Sequence, residues 1–393
     1  MILLEKILNK YGIENQKDFY FIITIFGIIC FISSFGKTYV NLDLYQFFKK
    51  GLVSWNFSMP FLGALLGTLF FPKIRGRMLS KNILQISFVS LFIILGLMIF
   101  LMYTWYDFPL RFFIGFFVVL IFLEISCFEA EIFQAPYRAT LFSLVGIEGA
   151  LLNSLGSSFI GFVHSPLEAF GVCMSGLLIC CGLIFIWKTP SGQKKKSLDK
   201  GTPNSKQAFY KIICMFPFVF IAIFMMGGLG EGISTYLPIY FENLGLNKAD
   251  AAFAYSFAGL GGLVLMPLAG RIGDKYGYEE AFFLTIILGL FAVSMTFFNS
   301  QTYVLSFLFF LISGTKQAFI SLSSAWIATQ YSGKSLSYGM ATFSLTKMAS
   351  HVFAPLSFGA LMNSYENRGF LLGCLGAFGM TFILMILQNK KSS

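Results

Sequence analysis

The chain has 393 residues, of which 56% are hydrophobic and 12% are charged, whereas a typical soluble domain has about 25% charged residues. So few charged side chains cannot cover the surface of a soluble protein of this size, and the composition excludes that class. Apolar runs of about 20 residues recur from Phe19 to Leu387, and each is long enough to cross ~30 Å of hydrocarbon as a helix. Such runs lack the alternation of a transmembrane β-barrel. The sequence therefore predicts an all-α membrane protein, because lipid offers the backbone no other hydrogen-bond partners.

Twelve membrane-spanning helices are predicted along the chain. They cover residues 19–40, 52–71, 83–103, 109–128, 137–162, 167–187, 211–240, 249–270, 281–298, 302–326, 336–361 and 369–388. The residues before the first span contain three lysines and no small-residue cleavage site, which indicates a cytoplasmic lead-in and not a removed signal peptide. Residues 1–188 and 211–393 hold six spans each, and the basic segment 189–210 between them is predicted to be a flexible cytoplasmic linker.

Lysine and arginine are unevenly distributed among the connections between spans. Four follow span 2 and six follow span 6, whereas the connections after spans 3, 5 and 9 have almost none. By the positive-inside rule, both termini and the even-numbered connections are predicted to lie in the cytoplasm. The net charge of +10 is thus explained by topology and does not indicate nucleic-acid binding. We expect a multi-pass protein of the inner membrane that works as a monomer in the lipid bilayer.

The seven cysteines all fall within predicted spans. They form no Cys-x-x-Cys pair and have no matching histidine cluster, so the pattern favours apolar packing residues. Neither a metal site nor a cofactor is expected.

The two six-span halves repeat each other weakly. Similar residues recur at an offset of about 200 residues in three pairs: Gly67 with Gly270, Gly115 with Gly314, and the Phe-Ser-Leu motif at 142–144 with that at 343–345. Such a repeat indicates two six-helix bundles related in parallel, with a binding site expected where the bundles meet.

The turn after span 8 carries a recognisable pattern. It reads Gly270-Arg271-Ile272-Gly273-Asp274-Lys275-Tyr276-Gly277, which resembles the G-x-L-x-D-R-x-G-R-R loop of the major facilitator superfamily. The turn after span 2 keeps its glycines and basic residues but has Phe71 in place of the aspartate. In that respect, and in the run 231–240, the chain is similar to the poorly characterised YcaD-type transporters. Arg111 to Gly115 and Ala354 to Gly359 also resemble family motifs in spans 4 and 11.

The resemblance implies the major facilitator fold, in which two six-helix bundles rock about a central site. It also implies a conformational gate at the two turns, formed by Gly67, Arg77, Gly270, Asp274, Lys275 and Gly277. In such a gate, Asp274 would stabilise one end state through nearby basic residues and a helix end, without binding solute. The sequence departs from the family where Tyr278, Glu279 and Glu280 replace a basic pair.

Ionisable side chains within a span cost at least ~2.5 kcal/mol each to insert, and seven of those within the predicted spans are candidates for function. They are Arg111 and Glu124 in span 4, Glu148 in span 5, Glu231 in span 7, Lys316 in span 10, and Lys347 and His351 in span 11. Lys347 and His351 are four residues apart and share one helix face. Because spans 5 and 11 are equivalent under the repeat, we predict that Glu148 faces them from the other half. The alternatives are a structural tie between helices, and, for charges near span ends, contact with headgroups or water.

The favoured interpretation is a secondary transporter that moves a small organic solute by alternating access, with protons as the coupling ion. Lys316, Lys347, His351 and Arg111 favour an anionic solute. A proton-driven exporter of drug-like amphipathic compounds and a transporter-like sensor without flux are the alternatives. The sequence has no P-loop, which disfavours an ATP-driven pump, and no His-x-x-x-Asp or Gly-x-Ser-x-Gly motif, which disfavours a membrane enzyme.

Overall fold

The structure is a computed structural model, and it describes residues 16–47, 50–101, 104–133, 137–159, 163, 165–187, 212–214, 216–246, 248–331 and 333–392. These residues form helices and no strand. The helices are α1 (Gln16–Phe47), α2 (Lys50–Arg77), α3 (Ser80–Leu101), α4 (Asp107–Ile132), α5 (Arg138–Ser158), α6 (Pro166–Ile186), α7 (Pro217–Asn243), α8 (Lys248–Gly259), α9 (Gly261–Tyr276), α10 (Tyr278–Thr296), α11 (Thr302–Gln330) and α12 (Gly333–Ser392). The predicted lead-in at 1–15 and the predicted linker at 189–210 lie outside the described residues.

The helices confirm the predicted all-α membrane architecture. Ten stretches of the described residues are long and apolar enough to cross a membrane, and one of them, Ser335–Leu387, contains both predicted spans 11 and 12. These two spans are parts of α12, which changes direction at Glu366, where φ is 51° and ψ is −136°. Predicted span 8 consists of two helices, α8 and α9, that are separated at Leu260.

The described residues divide into two compact units. Unit 1 draws on Met1–Gln134, Leu152–Lys211 and Tyr331–Leu345, and unit 2 draws on Ala135–Leu151, Ile212–Gln330 and Thr346–Ser393. The first part of α5 therefore belongs to the unit of the second sequence half, and the first part of α12 belongs to the unit of the first half. The division at the linker, which follows the sequence repeat, stays a prediction.

In unit 1, α2 packs closely against α4 because both helices have glycines at the crossing. A Cβ added at Gly63 would overlap the carbonyl of Phe112, and one added at Gly115 would overlap the carbonyl of Pro60. Helices α1, α3, α4 and α6 contribute an apolar core that includes Ile22, Ile25, Ile29, Phe35, Leu84, Phe88, Ile121, Ile125, Leu177 and Ile184. Helix α6 starts with Pro166 after an N-cap, because the Ser165 hydroxyl accepts the N–H of Glu168 at 3.3 Å.

In unit 2, α9 packs against α11 in the same way. A Cβ added at Gly261 would overlap the carbonyl of Phe310, and one added at Gly314 would lie 2.6 Å from the carbonyl oxygen of Gly261. Gly115 and Gly314, which the sequence repeat pairs, thus have the same role at matching helix crossings. An aromatic cluster joins α7, α11 and α12, with Phe309 at 5.5 Å from Tyr240 and 5.7 Å from Phe370 between ring centroids.

The serines of the repeated Phe-Ser-Leu motifs also occupy matching places. In unit 2, Oγ of Ser143 lies 3.4 Å from Oγ of Ser321, and a Cβ added at Gly270 would lie 2.5 Å from that Ser143 oxygen. In unit 1, Oγ of Ser344 lies 3.5 Å from Oγ1 of Thr68, which follows Gly67 in α2. Each serine therefore packs on the helix that carries the gate glycine of the opposite sequence half.

Candidate functional site

Four ionisable side chains of unit 2 come together around one stretch of α7, and we call them the cationic cluster: Glu231 of α7, Lys316 of α11, and Lys347 and His351 of α12. Nδ1 of His351 lies 3.8 Å from Oε2 of Glu231, and Glu231 is 7% exposed. A carboxylate at this distance can serve as the counterion of a protonated imidazole. The structure thus brings together four of the seven charged residues that the sequence places inside the membrane.

Both lysines of the cluster lie close to the backbone of α7, because α7 has glycines at these positions. A Cβ added at Gly230 would lie 3.0 Å from Nζ of Lys316, and one added at Gly227 would lie 3.3 Å from Cγ of Lys347. The glycine run 227–232 does not interrupt α7, which is helical throughout Pro217–Asn243. The glycines therefore act by allowing close approach of neighbouring side chains.

The motif at 354–359 that resembles a family motif lies one turn beyond the cluster. Because Pro355 has no N–H, it cannot donate to the carbonyl of His351 as a residue inside a helix otherwise would. The hydroxyl of Tyr236 in α7 donates to the carbonyl oxygen of Pro355 at 2.7 Å. Gly359 leaves room for this hydroxyl, since a Cβ there would lie 2.6 Å from it. A hydrogen bond between α7 and α12 thus holds the two helices together next to the cluster.

The cationic cluster contains more basic than acidic side chains. The sequence has no acidic residue other than Glu231 in 217–241, and none at all in 302–330 and 335–365 of α11 and α12. These three stretches therefore supply two lysines, one histidine and one carboxylate to the cluster. Because charge inside a membrane is costly unless it is countered, such a group suits a ligand that brings negative charge.

Glu148 does not join the cluster. Its Oε2 is buried without a hydrogen-bond partner, and it forms no ion pair with any residue that the structure describes. The predicted ion pair between Glu148 and Lys347 is thus absent among the residues that the structure describes. Glu231, from the same sequence half as His351, is the carboxylate beside the imidazole.

Arg111 is buried near the start of α4 with an acidic partner that the sequence analysis did not select. Its Nε donates to Oδ2 of Asp107 at 2.8 Å, and the two residues are 6% and 0% exposed. Their spacing of four residues on one helix is a signal for this pair that could have been read from the sequence. Arg111 is therefore buried in protein and paired within α4. A side chain that extends to lipid headgroups would instead be exposed.

A second charged group, in unit 1, surrounds Arg75 at the end of α2. The guanidinium donates to Oε1 of Glu124 at 3.2 Å and to Oε1 of Glu131 at 3.1 Å, both on α4. It also donates to the hydroxyl of Ser337 in α12 at 2.8 Å. Glu124, one of the predicted site residues, is 1% exposed and belongs to this group. Arg75 and Ser337 were not selected from the sequence, because nothing in it indicates that α12 begins beside α2.

Asp274, the central residue of the predicted gate, caps the start of α5. Its two carboxylate oxygens accept the backbone N–H groups of Ala139 at 3.0 Å and Thr140 at 2.8 Å. These bonds satisfy N–H groups that lack partners inside the helix and place negative charge at its positive end. Beside them, Arg138 donates to the carbonyl of Ala328 at the end of α11 at 2.6 Å. The helix end that we predicted as a partner of Asp274 is present.

The other residues of the predicted gate are divided between the two units. Gly270 packs on Ser143, and Gly67 packs on α4, where a Cβ would lie 2.6 Å from Cγ1 of Val119. Gly277 ends α9 with φ of 113°, which favours glycine. Lys275 is exposed, with Nζ 4.8 Å from the ring of Tyr276, and Arg77 is exposed at the end of α2.

Comparisons with known proteins agree with this architecture. The family model described as Major Facilitator Superfamily matches residues 18–315. Multidrug resistance protein MdtG of Salmonella arizonae is 22% identical over 256 residues, and the alignment covers 63% of this chain and 62% of that relative. The human organic anion transporter MFSD10 (TETRAN) superposes with a TM-score of 0.74 at 13% identity, covering 93% and 97% of the two chains. A bacterial homologue of the iron transporter ferroportin superposes with a TM-score of 0.74 at 12% identity, covering 93% and 98%.

Proposed function

The chain belongs to the Major Facilitator Superfamily, and on that premise we propose that it moves a small organic anion across the inner membrane by alternating access, coupled to protons. The family and its structural neighbours indicate a multi-pass membrane transporter and not an enzyme. The identity of the solute class rests on one observation, which is the cationic cluster of unit 2.

The cluster supports an anionic solute through its charge and its accessibility to a ligand group. A Cβ at Gly230 would lie 3.0 Å from the ammonium nitrogen of Lys316, whereas Lys347 packs on Gly227 through Cγ, so a group bound beside Gly230 would meet a cation and not a methyl group. A carboxylate placed there would make charge-assisted hydrogen bonds with ammonium groups in a site of low dielectric constant, where such bonds are strongest.

Coupling to protons is supported by the contact between Glu231 and His351. An imidazole can gain or lose a proton near physiological pH, and a change in the charge of either group alters the charge that faces the other. A cycle in which this pair is protonated on one side of the membrane and deprotonated on the other would link solute movement to the proton gradient.

The contacts of Asp274 and Arg75 support alternating access. Asp274 of α9 holds the start of α5, and Arg75 of α2 holds Ser337 at the start of α12, so each contact joins helices of different sequence halves. We propose that both contacts lie on the cytoplasmic side, form in one end state and separate in the other. Rocking of the bundles would then require that these hydrogen bonds break and form in every cycle.

A proton-driven exporter of drug-like compounds is the second candidate, and the similarity to MdtG favours it. Exporters of lipophilic cations need acidic groups in an apolar cavity. Glu231 and Glu148 could supply such groups, whereas Lys316, Lys347 and His351 would oppose a cationic compound. The two candidates therefore predict opposite effects of removing a lysine.

Flux into proteoliposomes separates these functions. We expect radiolabelled benzoate, as a probe anion, to be taken up in response to a pH gradient faster than by protein-free liposomes, and we expect Lys347→Ala to reduce this protein-dependent rate at least tenfold. Lys73→Ala, which removes an exposed lysine of α2, is the matched control and should leave the rate unchanged. Transport of ethidium that persists or increases in Lys347→Ala would support the exporter, and flux of neither probe would support a sensor.

A further inference from the structure

The geometry of the cluster suggests how Glu231 relates to the solute. The Glu231 carboxylate lies 3.8 Å from His351, at the turn of α7 where the two lysines approach the glycines. A solute carboxylate attracted by the same cations would have to enter the place that the Glu231 carboxylate holds. We propose that Glu231 is an internal stand-in for the carboxylate of the solute, and that the solute binds by displacing it from His351. This inference rests on the proposed function for the anionic nature of the solute.

Displacement of the Glu231 carboxylate by the solute changes the protonation of the site. Two carboxylates a few ångströms apart cannot both remain ionised in a site of low dielectric constant, so one of them takes up a proton. Glu231 is the one that loses its cationic neighbour, and its 7% exposure leaves little water to stabilise the charge. The solute carboxylate enters with its negative charge, one proton from the aqueous side binds to Glu231, and the net charge of the site is unchanged.

The ionisable groups of the cationic cluster lie on three helices. Helix α7 supplies Glu231 itself, α11 supplies Lys316, and α12 supplies Lys347 one turn before His351. The hydroxyl of Ser350, which donates to the carbonyl of Lys347 at 2.6 Å, is the neutral polar group beside them. Exchange of Glu231 for a solute carboxylate keeps one anion among these cations, so the net charge of the cluster is the same in both states.

The protonation of His351 can be measured directly, because the chain has only two histidines. With His164→Gln as background, one labelled imidazole remains in the full-length protein, and its ¹³C and ¹⁵N chemical shifts in nanodiscs report the protonated fraction. An opposite charge at this distance changes the ratio of protonated to neutral imidazole by about tenfold or more. We therefore expect Glu231→Gln to lower that ratio about tenfold at constant pH. Glu148→Gln is the matched control and should leave the ratio unchanged.

Glu231→Ala tests the exchange itself, because it opens space for an added carboxylate. Sodium acetate should raise the protonated fraction of His351 in Glu231→Ala by at least fivefold, whereas sodium chloride should not, and the added change Lys347→Ala should weaken the effect of acetate. In weakly buffered solution, acetate should cause proton uptake by the protein with Glu231 and none by Glu231→Gln. If Glu231→Ala does not fold, the proposal is still tested by two measurements on Glu231→Gln: the protonated fraction of His351, and the proton uptake that acetate causes.

Two results would overturn the proposal. One is an unchanged His351 signal in Glu231→Gln, which would mean that Glu231 is not the counterion. The other is an acetate effect that is absent in Glu231→Ala or equal in all variants, which would mean that no carboxylate binds in its place. These measurements involve no flux, so a protein that passes them without transporting solute would contradict the proposed function and not the exchange.

Discussion

Replacing Asp274 by asparagine tests whether its cap on α5 is a conformational contact. The carboxylate accepts two backbone N–H groups, from Ala139 at 3.0 Å and Thr140 at 2.8 Å. Asparagine keeps one oxygen as an acceptor but places an NH₂ group against the second N–H, and it removes the charge at the helix N-terminus. Hydrogen bonds to charged groups contribute about 1.5–3 kcal/mol each, so the loss of one corresponds to a shift of about 10- to 150-fold in the population of the capped state.

Hydrogen exchange of the peptide that contains Ala139 and Thr140 measures this shift. Because each opening of the contact exposes those amides, their exchange in Asp274→Asn should be at least tenfold faster than in the unmodified protein. Glu279→Gln is the matched control, since Glu279 is an exposed acid in the first turn of α10. We also expect solute flux to be slower while the equilibrium affinity for the solute stays within a few-fold.

Two outcomes would refute the reasoning about Asp274. Unchanged exchange at Ala139 and Thr140 would mean that the cap does not limit the opening of α5. Complete loss of solute binding by a well-folded Asp274→Asn protein would mean that Asp274 belongs to the binding site. A tenfold faster exchange with retained affinity is the combination that a gate residue requires.

Two further predictions concern the orientation and the Arg75 group. In a cysteine-free background, an impermeant maleimide added outside should label a cysteine at Asn299 and not one at Ser191, and the reverse labelling would contradict the predicted cytoplasmic termini. Arg75→Met should lower the melting temperature strongly, because leaving the buried Glu124 without its cation costs about 3–5 kcal/mol. Adding Glu124→Gln should recover most of that loss, and failure of this recovery in thermal unfolding by intrinsic fluorescence would show that the ion pair is not the cause.

The helices and the positions of the membrane charges could be predicted from the sequence. A span of about 20 apolar residues has few alternatives to a helix in lipid, so the segmentation depends on a strong physical constraint. The same constraint makes every charged residue within a span conspicuous. This is why Glu231, Lys316, Lys347 and His351 could each be selected before the structure was known.

The partners of these charges could not be predicted, because pairing depends on how each helix is rotated about its axis. Glu148 and Lys347 were paired from the equivalence of their spans under the repeat, yet Glu231 is the acid beside His351. The glycines at 227, 230 and 232 decide which side of α7 its neighbours can approach, and a count of residues along a span does not give that orientation. Asp107 and Arg111 are the exception, since a spacing of four residues within one helix fixes their proximity.

The replacement of the aspartate by Phe71 in the first gate turn has a structural counterpart in Arg75. Phe71 is completely buried and cannot cap α12 as Asp274 caps α5. Arg75 instead is held on α4 by Glu124 and Glu131 and reaches α12 through one hydroxyl, that of Ser337. Arg75 therefore has a single hydrogen bond to α12 and two ion pairs to α4. Breaking the Asp274 contact separates two hydrogen bonds to a carboxylate. Asp274 thus accepts two hydrogen bonds from α5 at its carboxylate, whereas Arg75 donates one hydrogen bond to a hydroxyl of α12.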